Sequence, residues 1–206
     1  MIRRAAHSAA VAIGRVAARM LPDRVPVTFV GAGSVAELCA AIGGQGRTRV
    51  LVVTDRVLVE LGIVETVTDA LRAAGVDAVV FDAIEPDPTF AQVEGGHLQA
   101  TAWGCDAVLA VGGGSPIDAA KMIAAMASNG GDLGRLEGKL KVRRATAPLY
   151  AIPTTAGTGS EVTIAAVVSD TASHQKKFFL DPKLLPSMAA LDPTLMVGIP
   201  APITAA

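Results

Sequence analysis

Residues 107–121, Ala107-Val108-Leu109-Ala110-Val111-Gly112-Gly113-Gly114-Ser115-Pro116-Ile117-Asp118-Ala119-Ala120-Lys121, decide how the rest of the chain is read. The first five are apolar without a break, which predicts a strand buried on both faces of a parallel sheet. Gly112, Gly113 and Gly114 then allow a tight backbone path with no Cβ between chain and ligand. Ser115 stands where a helix N-cap belongs, Pro116 at the first helical position, and Asp118 three residues after the cap. The helix continues as Ile117, Ala120, Lys121, Ile123, Ala124 and Ala127. Strand, glycine turn and helix start together bring unpaired N–H groups and the positive end of a helix dipole to one point, which suits a phosphate. An ordinary turn of this kind needs one or two glycines at most, so three favour a ligand. The spacing is not Gly-x-x-x-x-Gly-Lys-Ser/Thr, so hydrolysis of a nucleoside triphosphate has no support.

Upstream, the same alternation repeats. Strands are predicted over Val27 to Val30, Arg49 to Thr54 and Val76 to Phe81. Helices are predicted after Gly33, over 57–74 with Gly75 as the stop, and from the Glu85-Pro86-Asp87-Pro88-Thr89 loop to about Trp103. Residues 128–147 read as a surface loop. Beyond it lie strands at Leu149 to Ile152, Thr163 to Ser169, Lys176 to Leu180 and Met188 to Leu191. The pattern predicts an α/β fold: a doubly wound, Rossmann-like parallel sheet with helices on both faces, plus a few additional strands toward the C-terminus. Ligand chemistry belongs at the carboxyl ends of such strands.

Bulk properties narrow the function. The 206 residues are 51% hydrophobic and 18% charged, the composition of a folded domain. A formal net charge of −1 and 3% aromatic content argue against nucleic acid as a partner. Two cysteines, Cys39 and Cys105, make no disulfide framework and point to a reducing, cytoplasmic setting. No apolar run predicts a transmembrane segment. Ile2, Ala6, Ala9, Ile13, Val16 and Met20 lie on one face of an amphipathic N-terminal helix over 1–22, with arginines elsewhere and no acid before Asp23. That composition also fits a transit peptide over 1–21, so both readings stay open.

Other polar clusters compete with the glycine turn. Gly31-x-Gly33-x-x-Ala36 follows a strand and matches a relaxed dinucleotide fingerprint, but Ser34 and Glu37 explain it equally as a capping box. The richer turn at 112–114 is the better phosphate seat. Asp55, at the end of the second strand, reads as a ribose acceptor that disfavours NADP or as a helix N-cap. Pro153 to Glu161 packs four hydroxyls and two glycines into nine residues after a strand, offering donors to an anion or amide. Lys176 and Lys177 read by default as surface cations. His7, His97 and His174 are too scattered to make a metal site.

Gly112-Gly113-Gly114-Ser115-x-x-Asp118-x-x-Lys121, the Thr154-Thr155-x-Gly157-Thr158-Gly159-Ser160-Glu161 turn and Leu191-Asp192-Pro193 together resemble the iron-containing (group III) alcohol dehydrogenases. The likeness covers residues 26–206. It implies a dinucleotide-binding domain over that span, with the all-helical metal domain of the family absent from this chain. The resemblance implies NAD as cofactor, with NADP left open, and Fe2+ or Zn2+ only in a full-length enzyme. By the same likeness Gly112, Gly113, Gly114 and Ser115 hold the pyrophosphate, and Asp118 lies near the nicotinamide and its ribose. Thr154, Thr155 and Thr158 contact the adenine and phosphate side, Lys177 approaches a ribose, and Asp55 biases NAD over NADP. The implied reaction passes hydride between a primary alcohol or aldehyde and nicotinamide, no catalytic or metal residue lying within these 206 positions. A homodimer, a non-catalytic nucleotide-binding module, and a relative of the glycerol dehydrogenases or dehydroquinate synthases are the alternatives left open.

Overall fold

The computed structural model describes residues 25–197. The predicted helix over 1–22 and the segment Pro202 to Ala206 lie outside them. Among the described residues nine strands and five α-helices follow one another: β1 Val27–Val30, α1 Ser34–Gly44, β2 Arg49–Val53, α2 Arg56–Glu60, α3 Ile63–Ala73, β3 Asp77–Phe81, α4 Phe90–Trp103, β4 Ala107–Gly112, α5 Gly114–Asn129, β5 Gly138–Lys139, β6 Leu149–Pro153, β7 Ala165–Asp170, β8 Gln175–Leu180 and β9 Met188–Leu191.

Six of these strands form one sheet in the order β1-β9-β6-β4-β2-β3, every neighbouring pair parallel. The apolar runs explain its interior: every residue of β4 and β6 is buried. Alternation along a strand sends successive side chains to opposite faces. Val50 and Val52 therefore join a core with α1 and α3, built on Leu38, Ile42, Val67 and Leu71. Leu51 and Val53 join a second core with α4 and α5, built on Val93, Ile117, Met122 and Ile123. Helices thus cover both faces, as predicted.

Three elements depart from the sequence reading. The periodicity over 57–74 is cut into α2 and α3 because Gly62 takes a left-handed conformation (φ 74°). Only β5, β7 and β8 make the extra sheet, in the order β5-β8-β7, while β9 returns to the main sheet between β1 and β6. The predicted loop over 128–147 contains β5 and a 3-10 turn at Leu133–Leu136, whose Leu133 and Leu136 are buried.

Counted from β2, the parallel strands β3-β2-β4-β6-β9 follow the order 2-1-3-4-5, with β1 added at the far edge. The winding reverses between β2 and β4. Loops leaving those two strands diverge to opposite faces and open a crevice at their carboxyl ends.

Candidate functional site

The crevice at the reversal is lined by Asp55 from the end of β2, Ile84 and Pro86 after β3, Gly113 to Pro116 after β4, and Thr154 and Thr155 after β6. It encloses about 440 Å3. Leu58 and Leu61 of the α2 segment supply much of its apolar wall.

The glycine turn itself is built differently from its sequence signature. Ser115 is not the cap and Pro116 is not the first helical residue. Gly113 is the N-cap of α5, and no side chain caps the helix. Ser115 thus becomes the second helical residue and Pro116 the third. Proline is tolerated there because the first-turn N–H groups have no partner inside the helix. Gly112 has φ 148°, and a Cβ there would come 2.6 Å from Pro116 Cγ. A Cβ on Gly113 would stand 3.1 Å from Thr155 Oγ1, and one on Gly114 would stand 3.4 Å from Ser160 Oγ. The Thr/Ser turn after β6 therefore lies directly over the glycine turn after β4. Thr154 N donates to Gly112 O at 3.1 Å and locks the two together.

The competing turn at 31–36 ends in the opposite condition. Gly33, in a left-handed conformation, is the N-cap of α1, and the predicted capping box does not form. Ser34 is buried and its hydroxyl has no partner among the described residues. The donors at this helix start go to Asp192, whose Oδ2 accepts from Gly33 N at 2.8 Å and Val35 N at 3.5 Å. Its Oδ1 accepts from Thr194 N and Thr194 Oγ1. Burial works to raise the Asp192 pKa, but the bonds from Thr194, Val35 and Gly33 outweigh it and hold the carboxyl below its usual value. A protein carboxylate already occupies the place a phosphate would take.

Of the residues picked from sequence, Asp55, Gly113, Gly114, Ser115, Thr154 and Thr155 share the crevice. Asp55 serves as N-cap of α2, its Oδ1 accepting from Leu58 N at 3.0 Å. Thr158 approaches the Gly114 position, its Cβ 4.0 Å from where a Gly114 Cβ would be. Asp118 lies one helical turn on. Its Oδ2 accepts from Val167 N at 3.0 Å, tying α5 to β7. Lys177 is not in the crevice: it stands on β8 with Nζ 3.4 Å from Glu137 Oε1.

Two residues beside this site stand in the motifs quoted from the sequence but were assigned no role there. Ser160 reaches both Gly114 and Asp118. Lys121 is fully buried, its Nζ donating to Thr163 Oγ1 at 3.0 Å and to Ala165 O at 2.6 Å. The signal was Lys121 itself, a cation on a helix whose other neighbouring positions, apart from Asp118, are apolar. Among the described residues no group of three His, Cys, Asp or Glu side chains could hold a metal ion, and no helix is long and apolar enough to cross a membrane.

A family profile described as iron-containing alcohol dehydrogenase matches residues 26–193. An NAD-dependent methanol dehydrogenase of Bacillus methanolicus is 40% identical over 181 residues, covering 88% of this chain and 48% of that protein. The solved structure of a 1,3-propanediol oxidoreductase superposes with a TM-score of 0.85 at 36% identity, covering 88% of this chain and 48% of its own. A sulfoacetaldehyde reductase of Bifidobacterium kashiwanohense, solved in complex with NAD+, gives a TM-score of 0.79 at 29% identity, with coverages of 88% and 48%. The chain thus spans about half the length of the relatives it matches.

Proposed function

Since this chain belongs to the iron-containing alcohol dehydrogenase family, we propose that it binds NAD and forms the cofactor half of an enzyme moving hydride between a small alcohol or aldehyde and nicotinamide. The observation that carries this reading is the uncapped start of α5 at the sheet's winding reversal, roofed by the Thr154–Thr155 turn. The amides at Gly114 and Ser115 and the helix dipole receive the pyrophosphate, with the Thr155 hydroxyl as a further donor. Thr154 and Thr158 complete the polar side.

Leu58, Leu61, Ile84 and Pro86 offer an apolar slot of the kind an adenine ring fills. Asp55, at the mouth of that slot, accepts a ribose hydroxyl and repels the extra phosphate of NADP. Asp118 orients the nicotinamide ribose from the far side of the glycine turn. Lys177 takes a ribose contact only by leaving Glu137, which makes it the weakest of the assignments. When bound, NAD supplies the hydride acceptor. The residues of this chain bind and orient it, and no group of three His, Cys, Asp or Glu side chains among the described residues could hold a metal ion.

Calorimetric titration of the chain with NAD and with NADP tests the proposal. NAD is expected to bind at least about tenfold tighter than NADP, since an unscreened carboxylate–phosphate clash is worth more than 1.4 kcal/mol. Asp55→Asn should narrow that ratio. Equal affinity for both, unaltered in D55N, would remove Asp55 from the site. No alcohol oxidation by the 206-residue chain alone is expected.

A further inference from the structure

Arg56 is the only cation among the residues lining the crevice, and it stands next to the proposed ribose acceptor, Asp55. It opens α2, where a positive charge opposes the helix dipole, so its place there does not serve the helix. Nor is it tied down. Its side chain is 75% exposed, and its ion-pair partner, Asp82 Oδ2, lies 3.6 Å from Nη2, longer than a hydrogen bond.

The acids around it are held more firmly. Asp55 Oδ1 accepts from Leu58 N at 3.0 Å, which fixes that carboxylate at the mouth of the slot. The backbone of Asp55 bridges to Ala83, and Ile84 N donates to Thr54 O at 3.3 Å, so the segment that carries Asp82 runs alongside Asp55. Glu85, on the same segment, adds a third carboxylate to this rim. Three acids thus share the rim with one long, loosely held cation. A ribose with both hydroxyls free meets Asp55 as an acceptor. A ribose bearing a 2′-phosphate meets Asp55 as a like charge, yet it brings a dianion beside a guanidinium, the group that receives phosphate through two parallel N–H bonds.

We propose that Arg56 is the seat for the 2′-phosphate of NADP, kept weak by Asp55 beside it and by Asp82, its competing partner. The crevice then discriminates between the two dinucleotides through three charges and not through Asp55 alone. The inference rests on reading Asp55 as the ribose acceptor. To take the phosphate, Arg56 exchanges one partner for another: it leaves an exposed carboxylate, a contact of small worth, for a group of higher charge and better geometry. Asp55 cannot turn aside from the same phosphate without uncapping α2. Its repulsion and the attraction of Arg56 therefore act on one group with opposite sign, and Asp82 sets how much of that attraction is free.

The test is the ratio of the NADP and NAD dissociation constants, measured by calorimetric titration of wild type, D82N, D55N and D55N/R56Q. D82N frees Arg56 and should lower the ratio about two- to fivefold, the range an exposed ion pair spans. D55N should lower it about tenfold or more. D55N/R56Q should reverse most of that change, because the phosphate loses its charge-assisted bonds. In D55N, added salt should weaken NADP more steeply than NAD. Asn caps a helix as well as Asp does, and Arg56 and Asp82 lie outside the two cores, so none of these substitutions disturbs the fold. D55N/R56Q keeping the ratio of D55N overturns the proposal, and so does D82N keeping that of wild type. An unaltered ratio in D55N overturns the placement of Asp55 at the ribose, and the inference with it. Absence of NAD binding by wild type overturns the reading of the glycine turn itself.

Discussion

At Gly113 the conformation and the use of the residue separate cleanly. Its φ of −78° and ψ of −158° are open to any L-residue, so the absent Cβ serves space and not strain. Gly113→Val should therefore leave the melting temperature nearly unchanged. Its side chain would push Thr155 Oγ1 away and cover the amides, raising the NAD Kd by at least about tenfold, the loss of one charge-assisted hydrogen bond. Gly112 is the reverse case. Its φ of 148° and the 2.6 Å approach to Pro116 Cγ make Gly112→Ala a folding defect. A loss of about 2–4 kcal/mol is expected in urea denaturation, from strained backbone plus overpacking. The three glycines stand out in the sequence, but their separate duties do not. Ser115-Pro116 matches a cap signature so well that the shift of the cap to Gly113 becomes visible only when the turn is seen closing against Pro116.

Two helix starts, α1 and α5, compare like with like: each follows a parallel strand and a glycine turn, and each carries the dipole and free amides that attract an anion. What distinguishes them is an acceptor 159 residues away in sequence: Asp192 accepts at the first, and no side chain among the described residues caps the second. Asp192→Ala should thus destabilise the fold by about 2 kcal/mol or more, because it uncaps α1 and releases the turn after β9. NAD affinity should stay within about twofold of wild type, well under the 1.4 kcal/mol that marks a tenfold change. A large loss of NAD binding in D192A would move the phosphate to residues 31–36. The motif at 31–36 could not be discounted from local sequence, since its competitor arrives with β9, the last strand to join. Strand positions were legible where apolar runs were long, as in β2, β4 and β6. The placement of β9 inside the main sheet was not, because pairing partners are chosen by tertiary fit and leave no local trace. Thr89 shows the opposite situation. The loop ending there reads in sequence as the opening of a helix, and the structure adds a full capping box with Gln92, a signal contained within four residues.

Across the whole molecule, two cores share one set of strands, so neither face can loosen without exposing the other, and α5 is packed into the larger of them. Lys121 sits on that helix as a fully buried cation, and the price of burying it is charged to the stability of the entire domain. Its pKa is about 8 in the fold against 10.5 for a free lysine side chain, so between those values the unfolded chain binds more protons than the folded one. Stability from this residue accordingly rises with pH across that window, fully relieved above about 10.5 and absent below about 8. Cys39, Cys105 and Tyr150 act with the opposite sign, because burial raises their pKa values and favours the protonated fold. The two effects separate by comparing wild type with K121M. In chemical denaturation at successive pH values, the stability advantage of K121M should shrink by on the order of 2–3 kcal/mol from about pH 7.5 to about pH 10.5. A constant gap would mean that the ammonium is solvated in the fold and not buried as described.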